Sequence, residues 1–205
     1  MRLLAFSDIH RDLNAVGALA DLARDADLLV GAGDFATKRN GLQPVIDAIA
    51  AIGRPAVLVH GNGESEDELR QACRGYDNLC VRHGGSVELD GVTFFGLGAA
   101  VPQTPFGSWS VDLSEREAAR LLAACPPDAV LVTHSPPLGH CDRASSGSPH
   151  GSSAILACVE RTRPRLVLCG HIHDSWGETS RLGPTEICNL GPAGRLIELP
   201  SGPDA

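Results

Sequence analysis

The sequence predicts an α/β protein with two β-sheets packed together and helices outside. Short apolar runs recur along the chain, each ending in Gly, Asp, Asn or His, which is the pattern of strands buried on both faces. Helical spacings of apolar residues lie between several of these runs. A third observation is VELDGVTFF, which sets Asp-Gly between two β-rich stretches, the turn chemistry of a hairpin.

The elements follow in order. Leu3 to Phe6 leads into SDIH, Leu28 to Val30 into GAGD, and Ala56 to Val59 into HGNGE. Val92 to Phe95 leads into GLG, Ala129 to Val132 into THSPP, and Leu166 to Leu168 into CGHIH. Leu13, Val16, Ala20 and Ala23 share one helical face, as do Val45, Ile46, Ile49 and Ile52. Ser114 and Glu117 read as a capping box opening a helix over Ala118 to Ala124. Ser152 or Ser153 starts a helix through Arg161 that stops before Pro164. Residues 79–97 and 176–199 read as hairpins without helices. Loops at 101–112 and 135–151 are long enough to carry function. The expected organisation is one domain over 1–199 with a flexible tail, PSGPDA, at 200–205.

Composition narrows the function. A chain of 205 residues can bury a sizeable core, and at 4% aromatic content that core must be built from Leu, Val, Ile and Ala. Twenty-five acidic against 17 basic residues give a formal charge of -8, which disfavours stable binding of a nucleic-acid polymer. A small phosphate ester in a locally positive pocket remains compatible. Seven cysteines, an odd number with no CxxC pair, read as thiols of a reducing compartment acting as small core residues. The first apolar segment is too short for a signal peptide, and no stretch is long enough to span a membrane. The cytoplasm is therefore the expected location, and oligomeric state is not legible.

The strand ends are chemically selective. Asp8 and His10 sit two apart after the first run, and Asp34 follows the second. Asn62 follows the third, His134 a later one, and His171 and His173, again two apart, follow LVLCG. Ligands of open α/β sheets bind beyond the carboxyl ends of strands, so these seven residues can meet at one rim. Two aspartates, one Asn and four His supply O and N donors in about the number two first-row cations need, with one Asp shared. Asn62 offers a neutral carbonyl oxygen, and Gly61 and Gly63 let the backbone turn closely around it.

SDIHRDLNAV, GAGDF, HGNGE, LVTHSPP and CGHIH together resemble the five ordered motifs of the calcineurin-like metallophosphoesterases, over residues 5 to about 191. THSPPLGH with the GHIH block also resembles the subfamily of brain metallophosphoesterase-domain proteins. The resemblance implies two mixed β-sheets sandwiched between helices. It implies that Asp8, His10, His173 and Asp34 hold one cation, and that Asn62, His134 and His171 hold a second with Asp34 bridging. Mn, Fe, Zn or Ni would suit, Mn being favoured. A metal-bound hydroxide would attack phosphorus. Two +2 ions against Asp8, Asp34 and hydroxide leave +1, a match for a singly charged phosphodiester.

The departure is at Gly63, where the commoner motif has a His near the leaving group. Asn62, His140 and His150 are the candidate catalytic residues, and Gly63 and Glu64 the candidate substrate contacts. His140, His150 and Glu64 are the substitute acids, and the side-chain-free position 63 is expected to open space for a nucleotide-sized diester. Asp174 is expected to support His173 from behind. His60 and His83 read as ordinary polar residues, Lys38 and Arg39 as a solvated loop, and Glu64 to Glu68 as the solvated first turn of a helix. Trp109 and Trp176 read as packing anchors. The leading expectation is a phosphodiesterase, with cyclic nucleotides as a candidate substrate class. The alternatives are a phosphomonoesterase acting on a metabolite or phosphoprotein, and a metal-binding scaffold with weak catalysis.

Overall fold

A computed structural model describes residues 1–199; the expected tail at 200–205 lies outside the described residues. The first sheet has the order β11-β1-β2-β3-β4. Strands β1 (Arg2–Phe6), β2 (Leu28–Ala32), β3 (Ala56–Val59) and β4 (Leu79–Val81) run parallel, and β11 (Arg195–Glu198) closes the edge antiparallel to β1. The second sheet has the order β5-β6-β7-β8-β10-β9. Its centre, β6 (Val92–Leu97), β7 (Val130–Thr133), β8 (Leu166–Cys169) and β10 (Thr185–Asn189), is parallel. The edges β5 (Gly85–Leu89) and β9 (Thr179–Leu182) pair antiparallel with β6 and β10. Both sheets are therefore mixed, as expected.

Strand alternation explains why these runs are apolar throughout. In β1, Leu4 and Phe6 face the cluster under helices α1 (Leu13–Leu22), α2 (Leu42–Ala51) and α3 (Glu66–Ala72), while Leu3 and Ala5 face the opposing sheet. Val57 and Val59 point between the sheets and Leu58 toward the helices. On the other sheet, Val130 and Val132 face inward, and Leu131 packs under α4 (Glu115–Leu122) and α5 (Ser153–Thr162). Each central strand thus needs apolar residues at every position. The result is four layers: helices, sheet, sheet, helices.

The helix signals act as read. Ser114 caps α4 with a full capping box to Glu117, and Ser152 caps α5 by accepting from the Ile155 amide. One face shifts: Leu13 is half exposed, and Leu19 takes the buried place beside Val16. The hairpin readings hold for β5–β6 and β9–β10. They fail for β4 and β11, which join the other sheet because β4 continues the parallel series after α3 and β11 covers the open edge of β1. All seven cysteines are free thiols, six of them buried. No helix among the described residues is long and apolar enough to cross a membrane.

Candidate metal centre

The carboxyl ends of β1, β2, β3, β7 and β8 converge, and with them the side chains that follow each strand. Asp8, His10 and His173 bring ligand atoms within 4.8 Å of one another, and so do Asp8, Asp34 and His134. Asp34 faces both groups: its Oδ2 is 3.5 Å from His10 Nε2 and its Oδ1 is 3.5 Å from His134 Nε2. Asn62 Oδ1 is 3.1 Å from His134 Nε2, and the rings of His134 and His171 lie 4.9 Å apart. All seven sequence-predicted ligands are gathered.

Backbone strain accompanies the convergence. Asp8, His10, Asp34 and His171 have φ of 54°, 45°, 55° and 69°, in the left-handed region that costs a side-chain-bearing residue roughly 1–3 kcal/mol. Four candidate ligands bent this way require surrounding contacts to hold them. The Asp8 amide donates to the Gly33 carbonyl and the His10 amide to that of Asp34, so the ends of β1 and β2 clamp each other.

The glycines around Asn62 complete this. A Cβ at Gly61 would fall on the Asp34 carboxylate and amide. Gly63 donates its N–H to Asp34 Oδ1 at 2.7 Å. A Cβ at 63 would lie 2.9 Å from the Ala36 carbonyl oxygen, so this glycine is wedged against backbone and does not open the space expected of it.

The donor set fits divalent cations. His134 Nδ1 is 2.8 Å from the Ala32 carbonyl, an acceptor, so that nitrogen carries the proton and Nε2 presents a lone pair. That lone pair faces Asn62 Oδ1, itself an acceptor because Asn62 Nδ2 donates to Ser110 Oγ at 3.0 Å. On the other side, His10 Nδ1 is 3.2 Å from the Ala36 carbonyl, which turns Nε2 toward His173 Nε2, also at 3.2 Å. His134 Nε2 and Asn62 Oδ1, acceptor against acceptor, repel unless a cation lies between them.

Electrostatics agree. Burial and the neighbouring Asp8 charge push Asp34 up to about 6. Burial would also raise Asp8, but the neighbouring His173 and His134 and the Ser7 hydroxyl outweigh it and hold that carboxyl well below the usual range. Burial, then His134, pushes His171 down to about 3, a neutral imidazole ready to ligate.

Several supporting groups escaped the sequence reading. Asp8 is held by Ser7 Oγ, by the His171 amide and by Trp176 Nε1, which donates to Oδ2 at 3.1 Å. Trp176 also lays its ring against His173, 4.2 Å between centroids, so it is more than a packing anchor. Ser110 orients Asn62. Only Ser7, the first residue of SDIH, adjoins the residue it supports in the sequence; Trp176 and Ser110 reach theirs through tertiary structure.

The remaining candidates divide. His150 lines a cavity of about 480 Å³ together with His10, Asp34, Asn62, His171 and His173. His140 does not line it; its Nδ1 is held by Ser180 Oγ of β9. Glu64 is neither solvated nor on the wall of this cavity. It is wholly buried, pushed up to about 7 by burial and the Asp34 charge, and it accepts from the Ala36 and Gly61 amides, tying the two ligand loops together. Glu66, Asp67 and Glu68 do form the first turn of α3. Asp174 accepts from the Ser145 amide and so anchors loop 135–151. His60 is buried with its ring 4.8 Å from that of His83, an internal pair in place of two ordinary polar residues. Arg39 pairs with Glu68, and Lys38 sits over Trp109.

The family model for calcineurin-like phosphoesterases matches residues 1–175, and the chain belongs to that family. It is 30% identical to UPF0046 protein K07C11.7 of Caenorhabditis elegans, over 93% of this chain and 71% of the relative. A second relative, UPF0046 protein C25E10.12 of the same organism, is 26% identical over 92% of this chain and 74% of its own length. Among solved structures, TT1561 of Thermus thermophilus superposes with a TM-score of 0.75 at 17% identity, over 94% of this chain and 90% of that one. An archaeal phosphodiesterase superposes at 0.58 and 16%, over 93% and 84%. These two structures share the fold.

Proposed function

We infer that the chain is a two-cation phosphoesterase that prefers phosphodiesters, with cyclic nucleotides as a candidate substrate class. The observation that carries the reading is Asp34, whose Oδ2 faces His10 Nε2 on one side while its Oδ1 faces His134 Nε2 on the other, each at 3.5 Å. Asp8, His10, His173 and Asp34 would hold one cation, and Asn62, His134, His171 and Asp34 the other. Such cations, when bound, neutralise phosphoryl charge and activate a water. The archaeal phosphodiesterase and a dimetal phosphatase from Danio rerio share this fold, so either ester class is compatible with it.

The protein's own groups do the rest. Asn62, fixed by Ser110, presents its carbonyl oxygen without adding negative charge. Asp8 and Asp34 are the only carboxylates of the ligand set, so two divalent ions leave the site positive and suited to a monoanionic diester. His150 reaches the cavity from a loop that Asp142 pins, accepting from the Gly139 and Gly151 amides. Its proton, delivered to the leaving oxygen, would be worth about 100- to 10,000-fold, replacing the His absent at position 63.

The test is turnover by Mn²⁺-reconstituted protein of bis-p-nitrophenyl phosphate against p-nitrophenyl phosphate, with His134→Ala as control. Faster diester cleavage, lost in the variant, is expected. Faster monoester cleavage puts the phosphatase reading first, and no turnover with cations bound puts the scaffold first.

A further inference from the structure

The cavity that holds the cation ligands has a second wall, made by loop 101–112. Phe106 and Trp109 stand on it as a parallel pair, their rings 6° apart in orientation and their centroids separated by 5.6 Å. Phe106 is 50% exposed. Lys38 Nζ sits 5.6 Å from the centre of the Trp109 ring, a cation packed against the pair. We propose that Phe106 and Trp109 form a shelf that takes a planar aromatic group of the phosphate ester; this rests on the phosphoesterase reading above and assigns its substrate class.

The shelf is built into the site. Thr104 donates from its amide and its hydroxyl to Asp112 Oδ2, both at 2.9 Å, and Ser110 Oγ donates to Asp112 Oδ1 at 2.6 Å. Ser110 is the residue after Trp109 and the group that accepts from Asn62 Nδ2. The Val111 amide closes the link by donating to the Asn62 carbonyl at 3.0 Å. The aromatic pair is thus registered against a cation ligand through two hydrogen bonds. A single exposed Phe needs no explanation. Two parallel rings, offset-stacked on one another and sharing a cavity with the reacting centre, leave the half-exposed Phe106 with a flat face on which the stack can be extended. Stacking on such a face is gained by a planar aromatic group and not by an aliphatic one of equal size.

The test compares phenylphosphonate with cyclohexylphosphonate, which match in size, differ in planarity and carry a P–C bond that resists hydrolysis. Calorimetry on Mn²⁺-loaded protein is expected to show the phenyl compound binding about tenfold more tightly. Trp109→Leu and Phe106→Leu, which keep apolar bulk, should erase that difference while leaving Mn²⁺ binding and the cyclohexyl affinity within about twofold of wild type. Equal affinities in the wild type, or a phenyl preference that survives in the double variant, overturn the shelf and leave the phosphoesterase reading standing. If Mn²⁺ binds and neither phosphonate does, both readings fall together.

Discussion

Trp176→Phe isolates one hydrogen bond at the centre. The substitution keeps an aromatic ring against His173 and against Gly191, where the Trp176 side chain already packs closely. It removes the indole N–H that reaches Asp8 Oδ2 at 3.1 Å across 168 residues of chain. Asp8 is buried, so water cannot replace the donor. A hydrogen bond to a charged group contributes about 1.5–3 kcal/mol, and Ser7 and the His171 amide remain, so the loss should fall toward the lower end. Groups that orient a ligand from behind typically change cation affinity by roughly 10- to 100-fold. Mn²⁺ titration of metal-free protein should therefore show about tenfold weaker binding at the Asp8–His10–His173 position, with the Asn62–His134–His171 position much less affected. Unchanged affinity at the first position would refute the claim that Trp176 fixes Asp8.

Other perturbations follow from the same coordinates. Gly61→Ala drives a methyl group into Asp34 and should abolish binding of both cations, measured by metal content after dialysis; retention of both would mean the β3 end is more yielding than its packing implies. His60 is held neutral by burial, pushed down from 6.5 to about 4, so the unfolded chain binds a proton that the folded one refuses between those values. Stability is then full above pH 6.5 and falls as pH drops toward 4, by roughly 3 kcal/mol from this residue. An NMR titration in which folded His60 protonates near pH 6.5 would contradict this. Ser114→Ala removes the α4 cap and should lower the unfolding free energy by about 1 kcal/mol in urea titrations, leaving cation binding intact.

The parts legible in the sequence are those fixed by local rules. Ala56–Val59 ends where its apolar run ends, and α5 begins at the serine that caps it. The gathering of the candidate ligands was legible because each follows a strand directly, and strand ends share a rim. What was hidden depends on partners far along the chain. The left-handed backbone at Asp8 and His171 is imposed by neighbouring strands, and no local preference announces it. Glu64 looked solvated as the head of an acidic run, but two amides from separate loops bury it. Gly63 looked like a vacancy because the sequence cannot show that its free side points at the Ala36 carbonyl. Trp109 reads as a packing anchor, but loop 101–112 places it beside Phe106 on the cavity wall.

The central claim is that one carboxylate, Asp34, joins two cation positions built from the ends of two sheets. Calorimetric titration of Mn²⁺ into metal-free protein tests it most directly, with His134→Ala alongside. The account predicts two Mn²⁺ per chain in the wild type and about one in the variant, which keeps the Asp8–His10–His173 position. A single Mn²⁺ in the wild type, or two in the variant, would contradict it.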